Sequence, residues 1–259
     1  VKDRDRLVTI ADKMLNDVKN LTRKIFDWGT LWANTEAYKD HWLPVKNYTT
    51  NEWVIDNEML VKFSAEYIRN RFEPRPHTCW ACQVHHCHKM RIPDGPYAGL
   101  VTEEPDYECF AAWGPVIGQT DVDAAMMLSN LVDRLGMETN EASWVIGLAM
   151  ECYEKGILTK QDTNGLEIRW GNVDATVRML TMIARREGLG DILAEGVMRA
   201  AQRIGGEAAN FAVHTKKGNT PRGHDHRVRR WELFDTCVSN TGTLENSLPG
   251  LGPTPDKWE

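Results

Sequence analysis

The 259 residues carry 42% hydrophobic and 26% charged side chains, a balance that excludes a disordered chain and allows one large core or two modest ones. A net charge of -6, from 31 basic against 37 acidic residues, excludes broad attraction to nucleic acid or to an anionic membrane, so neither is expected as a partner. No apolar run reaches bilayer length, and the opening VKDRDRLVTI lacks the basic-then-apolar order of a signal peptide, so a cytoplasmic protein with no transmembrane segment is expected.

Residue 1 is Val and stands just before a helical pattern, so the gene product is expected to start upstream. Leu7, Ile10, Met14, Val18, Leu21 and Ile25 recur three or four apart, which predicts one helix over 7–25 followed by Gly29. Between about 30 and 120, Pro44, Pro74, Pro76, Pro93, Pro96, Pro105 and Pro115 interrupt any long helix, so loops and short helices are predicted there.

That irregular half carries the cysteine cluster. Cys79, Cys82 and Cys87 lie within nine residues, whereas Cys109, Cys152 and Cys237 stand alone. In a reducing compartment such clustering points to metal before disulfide. Two thiolates in a Cys-x-x-Cys turn can face one metal, and a third a turn later completes three corners of an iron-sulfur cube. Zinc is the competing reading, because Cys79, Cys82, His86 or Cys87, and His88 make a four-coordinate set by themselves. Spacing alone leaves both open, beside a plain exposed turn.

After residue 120 regular helices return. DVDAAMMLSNLVDRL, EASWVIGLAMECYEK, NVDATVRMLTMIARRE and DILAEGVMRAAQRI run to Gly136, Gly156, Gly188 and Gly205, glycines suited to close a helix C-terminus. A mostly α fold follows: a helical bundle with an irregular, Pro-rich N-terminal half carrying the Cys cluster. Its predicted core contains Met126, Leu128, Leu131, Trp144, Ile146, Leu148, Met179, Leu180 and Ile183. From about 206 the composition shifts to Gly, Pro, His and Arg, so residues 1–205 read as one helical domain and 206–259 as the truncated start of a second.

Several ordered motifs now resemble one family. Leu43-Pro44 with Asn47, the Cys-x-x-Cys, Tyr107-Glu108, Asp133-Arg-Leu-Gly136-Met137, AMECYEKGILTKQDTNGLEIRWGN and REGLGDILAEGV follow the order found in aldehyde ferredoxin oxidoreductases, over about residues 1–245. The resemblance implies a tungsten bis-molybdopterin cofactor, with molybdenum as the open alternative, and a 4Fe-4S cluster. It also implies that residues 1–205 correspond to the family's second domain and the rest to the start of its third. The family's first, pterin-binding β domain would lie outside this chain.

In the family, Cys-x-x-Cys-x-x-x-Cys and a distant fourth cysteine hold the cluster. Cys79 and Cys82 match. The family spacing places the third ligand on His86, whereas the cysteine stands one residue later, and Cys87 is assigned; the fourth ligand is expected outside the chain. Asp133, Gly136, Met137 and Glu138 resemble the pterin-contact motif Asp-x-x-Gly-Leu-Asp, against the plainer reading of a helix end. Glu108 matches an acidic residue near the metal and is expected to move protons, since desolvation would raise its pKa. Cys109 is expected as a thiolate ligand to tungsten, with a packed core thiol as the alternative.

His41 and Glu36 precede Pro44 where the family lines its substrate cavity, and both are expected to be catalytic, His41 as an acid-base group that carries protons, against the plainer reading of a structural histidine. In Pro221-Arg-Gly-His224-Asp225-His226-Arg227, Arg222 and His224 are expected to contact phosphates of a cofactor or coenzyme A, against a solvated basic loop. Cys109, PRGHDHR and WELFDTCVSNTGT resemble the tungsten benzoyl-CoA reductases more than simple aldehyde oxidisers. Ring reduction of an aryl-CoA is therefore the expected reaction. Ferredoxin-dependent aldehyde oxidation is the alternative, and a zinc-stabilised binding module is the reading from another class. A ferredoxin or iron-sulfur subunit and an oligomeric complex are the expected partners.

Overall fold

A computed structural model describes residues 2–21, 23–80, 82 and 84–239. The stretch LPGLGPTPDKWE and the rest of 240–259 lie outside the described residues. The chain is helical over α1 (Arg4–Leu21) and α2 (Arg23–Trp28), with a 3-10 turn at Gly29–Leu31 where the helix was predicted to stop. Of the predicted apolar stripe, Leu7, Ile10 and Met14 are exposed and Ile25 is half-buried, so among the described residues the first turns of α1 are not part of the core.

Short helices α3 (Trp32–Lys39), α4 (Asn57–Lys62) and α5 (Ala65–Arg71) fill the Pro-rich half as predicted. A small antiparallel sheet was not predicted. It has the order β1 (Arg75–Pro76), β2 (His88–Arg91) and β3 (Val101–Glu103). Arg75 pairs with Lys89, and Met90 with Thr102. Strands this short carry too little alternation to register as a period of two.

The second half is the helical bundle. Asp106 caps α6 (Tyr107–Trp113) by accepting the Cys109 N–H at 2.9 Å, and Asp121 caps α7 (Val122–Leu135) through the Asp123 N–H. Gly136 ends α7 in the left-handed region, at φ 70, with no atom near a built Cβ, so backbone conformation alone favours glycine there. Glu138 caps α8 (Thr139–Glu154) by accepting the Glu141 N–H at 2.6 Å.

Two helix ends depart from prediction. α9 (Val173–Arg185) stops at Arg186 rather than Gly188; Arg186 takes the left-handed position, its guanidinium held by Asp191 at 3.0 Å and Glu195 at 2.7 Å. The segment predicted as one helix to Gly205 is broken into α10 (Leu189–Leu193) and α11 (Val197–Ile204) around Gly196. Of the predicted core, Met126, Leu128, Trp144, Ile146, Leu148, Met179 and Leu180 are buried, while Leu131 and Ile183 pack partly buried against them.

Asn47 ties the halves together: its Nδ2 donates to Glu151 on α8 at 2.7 Å and to the Phe211 carbonyl at 2.8 Å. Beyond a 3-10 turn at Gly206–Phe211, the chain folds back over this surface and ends its described part in α12 (Arg230–Val238). Trp144 Nε1 donates to the Pro221 carbonyl at 2.7 Å, and the Asp225 N–H to the Trp42 carbonyl at 2.8 Å. These bonds seat the PRGHDHR turn against α8 and the α3 exit loop. No helix among the described residues is long and apolar enough to cross a membrane.

Candidate active site

Cys79, Cys82 and Cys87 stand between β1 and β2, so the sheet missed in the sequence carries the cysteines. The ladder runs into this loop: the His77 N–H donates to the Cys87 carbonyl at 3.0 Å, and the Cys82 N–H to the Cys79 carbonyl at 3.1 Å. Closure brings Cys79 close enough to act on the Cys87 thiol. Burial first, and then Cys79, push the Cys87 thiol up to about 12. Thiols that repel one another when ionised suit a site where iron compensates their charge.

The site is not a closed cage in this chain. Cys79 is exposed, Cys82 and Cys87 are half-buried, and the described residues contain no group of three or more His, Cys, Asp or Glu that could hold a metal ion. His86 lays Nδ1 3.1 Å from Cys87 Sγ. Its ring also packs over Gly29, where an added Cβ would stand 3.3 Å from Nδ1. Beneath the loop, Arg69 donates to Glu104 at 2.9 Å and to the His86 carbonyl at 3.0 Å, and Glu104 also meets His88 Nδ1. This buried polar anchor fixes the loop from below.

A second cluster forms where the PRGHDHR turn meets α6. Glu108 accepts the Gly223 N–H at 2.6 Å and faces His224 Nε2 at 3.3 Å. The opposite ring nitrogen, Nδ1, meets Glu232 Oε2 of α12 at 2.8 Å. Trp42 packs against the His224 ring edge-on, with centroids 5.2 Å apart, and Tyr107 lies at 5.6 Å. Tyr107 donates to the Gly223 carbonyl, and Tyr48 to the His224 carbonyl at 2.8 Å. The Glu108 and His224 side chains keep 22% and 13% exposure, enough for an edge to reach a bound molecule. Burial pushes the Glu108 carboxyl up, against the lowering influence of His224, the Gly223 N–H and Arg222.

Gly223 is required by close approach: a Cβ there would stand 2.6 Å from Ala111 Cβ and 3.0 Å from Glu108 Oε2. Gly223→Ala is expected to lift the turn off α6, destabilising the protein by about 1–3 kcal/mol as overpacking does. A thermal melt in which Tm is unchanged would show that the turn yields freely.

Glu232 adds a pH dependence. Burial acts to raise its carboxyl, but bonds from His224 and Arg229 outweigh this and bring it down to about 2. A depressed carboxylate contributes stability above its ordinary value near 4.5, and that contribution disappears as pH falls towards 2. Glu232→Gln is therefore expected to be less stable than wild type by about 3 kcal/mol near pH 6, with the gap closing by about pH 2. Urea midpoints across that range check this, and a pH-independent gap would contradict it.

The other predicted residues are not all brought here. His41 is exposed, in the left-handed region at φ 55, while its neighbour Trp42 is buried. Glu36 is half-buried on α3. Among the described residues, neither side chain hydrogen-bonds Glu108 or His224. Arg222 is half-buried and acts on Glu108 through its charge. Cys109 faces the other way: its thiol lies near Ser129 of α7 and Asp106, and burial followed by the Asp106 charge pushes it well above the usual thiol range. Asp133 is exposed, with its carboxyl raised by partial burial and by Glu103 and Asp106. Its carboxylate accepts no hydrogen bond among the described residues, so it has capacity for the N–H groups of a pterin. Glu138 spends one oxygen on its cap, and Met137 packs against the core.

Sequence reasoning missed Glu232, Trp42 and Tyr48. Glu232 gives no signal, because its partner His224 is eight residues away and the turn between them is set by tertiary packing.

The family model described as "Aldehyde ferredoxin oxidoreductase, domains 2 & 3" matches residues 6–247. The chain is 33% identical to the "Aliphatic sulfonate oxidoreductase, WOR-like subunit" of Pyrococcus furiosus, over 83% of this chain and 34% of that protein. It is 32% identical to the "Tungsten-containing aldehyde ferredoxin oxidoreductase" of the same organism, over 93% of this chain and 39% of that protein. The chain thus spans little more than a third of the length of these curated relatives. Among solved structures, its fold is similar to a chain of the active site complex BamBC of benzoyl coenzyme A reductase in complex with 1,5-dienoyl-CoA. There the TM-score is 0.66 and the identity 20%, over 83% of this chain and 32% of that one. With the family model covering nearly the whole chain, from the α1 helix past the Glu108–His224 contact, this chain belongs to the aldehyde ferredoxin oxidoreductase family.

Proposed function

We propose that the chain is the iron-sulfur and pterin-contacting part of a low-potential tungsten oxidoreductase, which reduces the ring of benzoyl-CoA or a similar aryl-CoA to a cyclic dienoyl-CoA. The observation that carries this reading is the Glu108–His224 pair, in which burial favours a protonated carboxyl beside an imidazole. Ring reduction consumes protons as well as electrons, and a buried carboxylic acid backed by His is a proton donor. A tungsten-pterin group, when bound, supplies the redox change, and a 4Fe-4S cluster passes single electrons.

Within that reading Cys79, Cys82 and Cys87 hold the cluster, with a fourth ligand from outside the chain. Asp133 accepts hydrogen bonds from the pterin, with Gly136, Met137 and Glu138 shaping the same helix end. Arg222 stands where it can offset phosphate charge, and Cys109 is the candidate soft ligand to tungsten. His41 and Glu36 are assigned to the substrate side, one step removed from the proton-handling pair. We divide the chain at about residue 205, with 206–259 opening the family's third domain. A cytoplasmic complex fed by a ferredoxin or an iron-sulfur subunit fits these assignments. A second reading, ferredoxin-dependent oxidation of aldehydes to acids, is favoured by the 32% identity to a tungsten-containing aldehyde enzyme.

The test uses the full-length enzyme with both substrate classes. Glu108→Gln and His224→Gln are each expected to lower aryl-CoA reduction by about a hundredfold or more while tungsten and iron contents hold. Wild-type protein that oxidises aldehydes and leaves aryl-CoA untouched would decide for the second reading. A preparation with zinc and no iron would defeat both and favour the zinc-stabilised binding module.

A further inference from the structure

The His224 ring has a carboxylate at each nitrogen, and only one of the two belongs to the proposed chemistry. Nε2 faces Glu108 on α6; Nδ1 meets Glu232 in the first turn of α12 at 2.8 Å. Glu232 is itself fixed: Arg229 Nε donates to its other oxygen at 2.6 Å, and His226 Nε2 lies 3.8 Å away. Arg229 in turn stacks over the Trp42 ring at 4.6 Å, the same Trp42 that packs against His224. The charged groups around this ring are therefore Glu108 from α6, Glu232 from α12, and Arg222, Asp225, His226 and Arg229 from the turn between.

We propose that Glu232 is a positioning residue for the redox reaction: it keeps the proton of His224 on Nδ1 and fixes the ring, so that Nε2 alone faces Glu108. This rests on the Glu108–His224 reading above. A neutral imidazole carries one N–H, and an ionised carboxylate only accepts, so Glu232 requires that N–H at Nδ1. Nε2 is then left as a lone pair towards Glu108. After Glu108 gives its proton to the substrate, a proton taken up from solvent at Nε2 makes an imidazolium that Glu232 balances without any side chain moving, and its Nε2–H returns the proton to the Glu108 carboxylate. Without the carboxylate, the two neutral tautomers compete, and the one with N–H at Nε2 cannot accept there. A carboxylate on the far side of a working histidine is a recurring device for fixing tautomer and orientation.

The experiment compares Glu232→Gln, Glu232→Asp and His224→Gln in the full-length holoenzyme. Glu232→Gln keeps the shape but offers either an oxygen or an NH2 to Nδ1. It is expected to lower kcat by about 10–100-fold with KM, tungsten and iron unchanged, the range seen when such outer partners are removed. Glu232→Asp keeps the charge and is expected to recover most of that loss, which separates positioning from general destabilisation and serves if the Gln variant folds poorly. A readout independent of turnover is the exchange of the His224 C2 hydrogen for deuterium, followed by peptide mass spectrometry. It depends on the ring's proton occupancy and is expected to slow about threefold or more in Glu232→Gln and much less in Glu232→Asp. If His224→Gln is slow but Glu232→Gln turns over within twofold of wild type, or Asp rescues nothing, this inference is wrong while the site reading stands. If His224→Gln turns over normally, the site reading falls and takes this inference with it.

Discussion

Replacing Cys79 and Cys82 together by Ala in the full-length protein is expected to remove its iron and labile sulfide and to abolish at least about 99% of turnover, because a cube cannot be held by the thiolates that remain. The expectation rests on the hairpin that closes Cys79 onto Cys87 and on the Cys82 N–H bond that shapes the turn. The third corner is where this chain departs from its family's spacing, and single variants resolve it. Cys87→Ser is expected to lower iron content strongly. His86→Ala is expected to retain it, since His86 rests on Gly29 and reaches Cys87 Sγ as a hydrogen-bond partner. Iron lost from His86→Ala and kept in Cys87→Ser would move the third ligand to His86. One zinc per chain and no iron in wild type would remove the cluster from the site.

The helical half was legible because its signals are local. Asp121 and Gly136 bracket α7 by capping chemistry, and the apolar residues between them repeat at helical spacing. The Pro-rich half was legible only as interruption. Its sheet has strands two to four residues long, held by Arg69 and Glu104 from separate elements, and none of that is periodic. The α1 stripe reads as a core face, yet nothing among the described residues covers Leu7, Ile10 or Met14, since amphipathic spacing gives a face and not its partner. In the site, Glu108 and His224 were each recognisable by residue type and motif. Their meeting was not, because 116 positions separate them and the contact depends on Trp144 holding Pro221 and on Trp42 holding Asp225. Asp133 shows the same limit from another side: its motif names a pterin contact, while the geometry here shows a helix end and a carboxylate with spare acceptor capacity.

Cys109→Ser is expected to separate the two chemistries proposed for this protein. Cys109 follows Glu108 directly, but successive helix residues point about 100° apart, so Glu108 faces His224 while the Cys109 thiol lies beside Ser129 and Asp106. Burial and the Asp106 charge keep that thiol protonated in the chain alone. A soft metal brought to it would reverse this, because coordination deprotonates a thiol outright. An added anionic ligand stabilises the oxidised metal and lowers its potential, the direction ring reduction requires and aldehyde oxidation does not. In the full-length enzyme, Cys109→Ser is expected to keep its iron, since the cluster cysteines are on the β1–β2 loop. Aryl-CoA reduction is expected to fall by about a hundredfold or more, with a shifted tungsten absorption edge. A variant that reduces substrate at the wild-type rate with an unchanged edge would leave Cys109 as a thiol packed against Ser129, and would tilt the choice of reaction towards aldehyde oxidation.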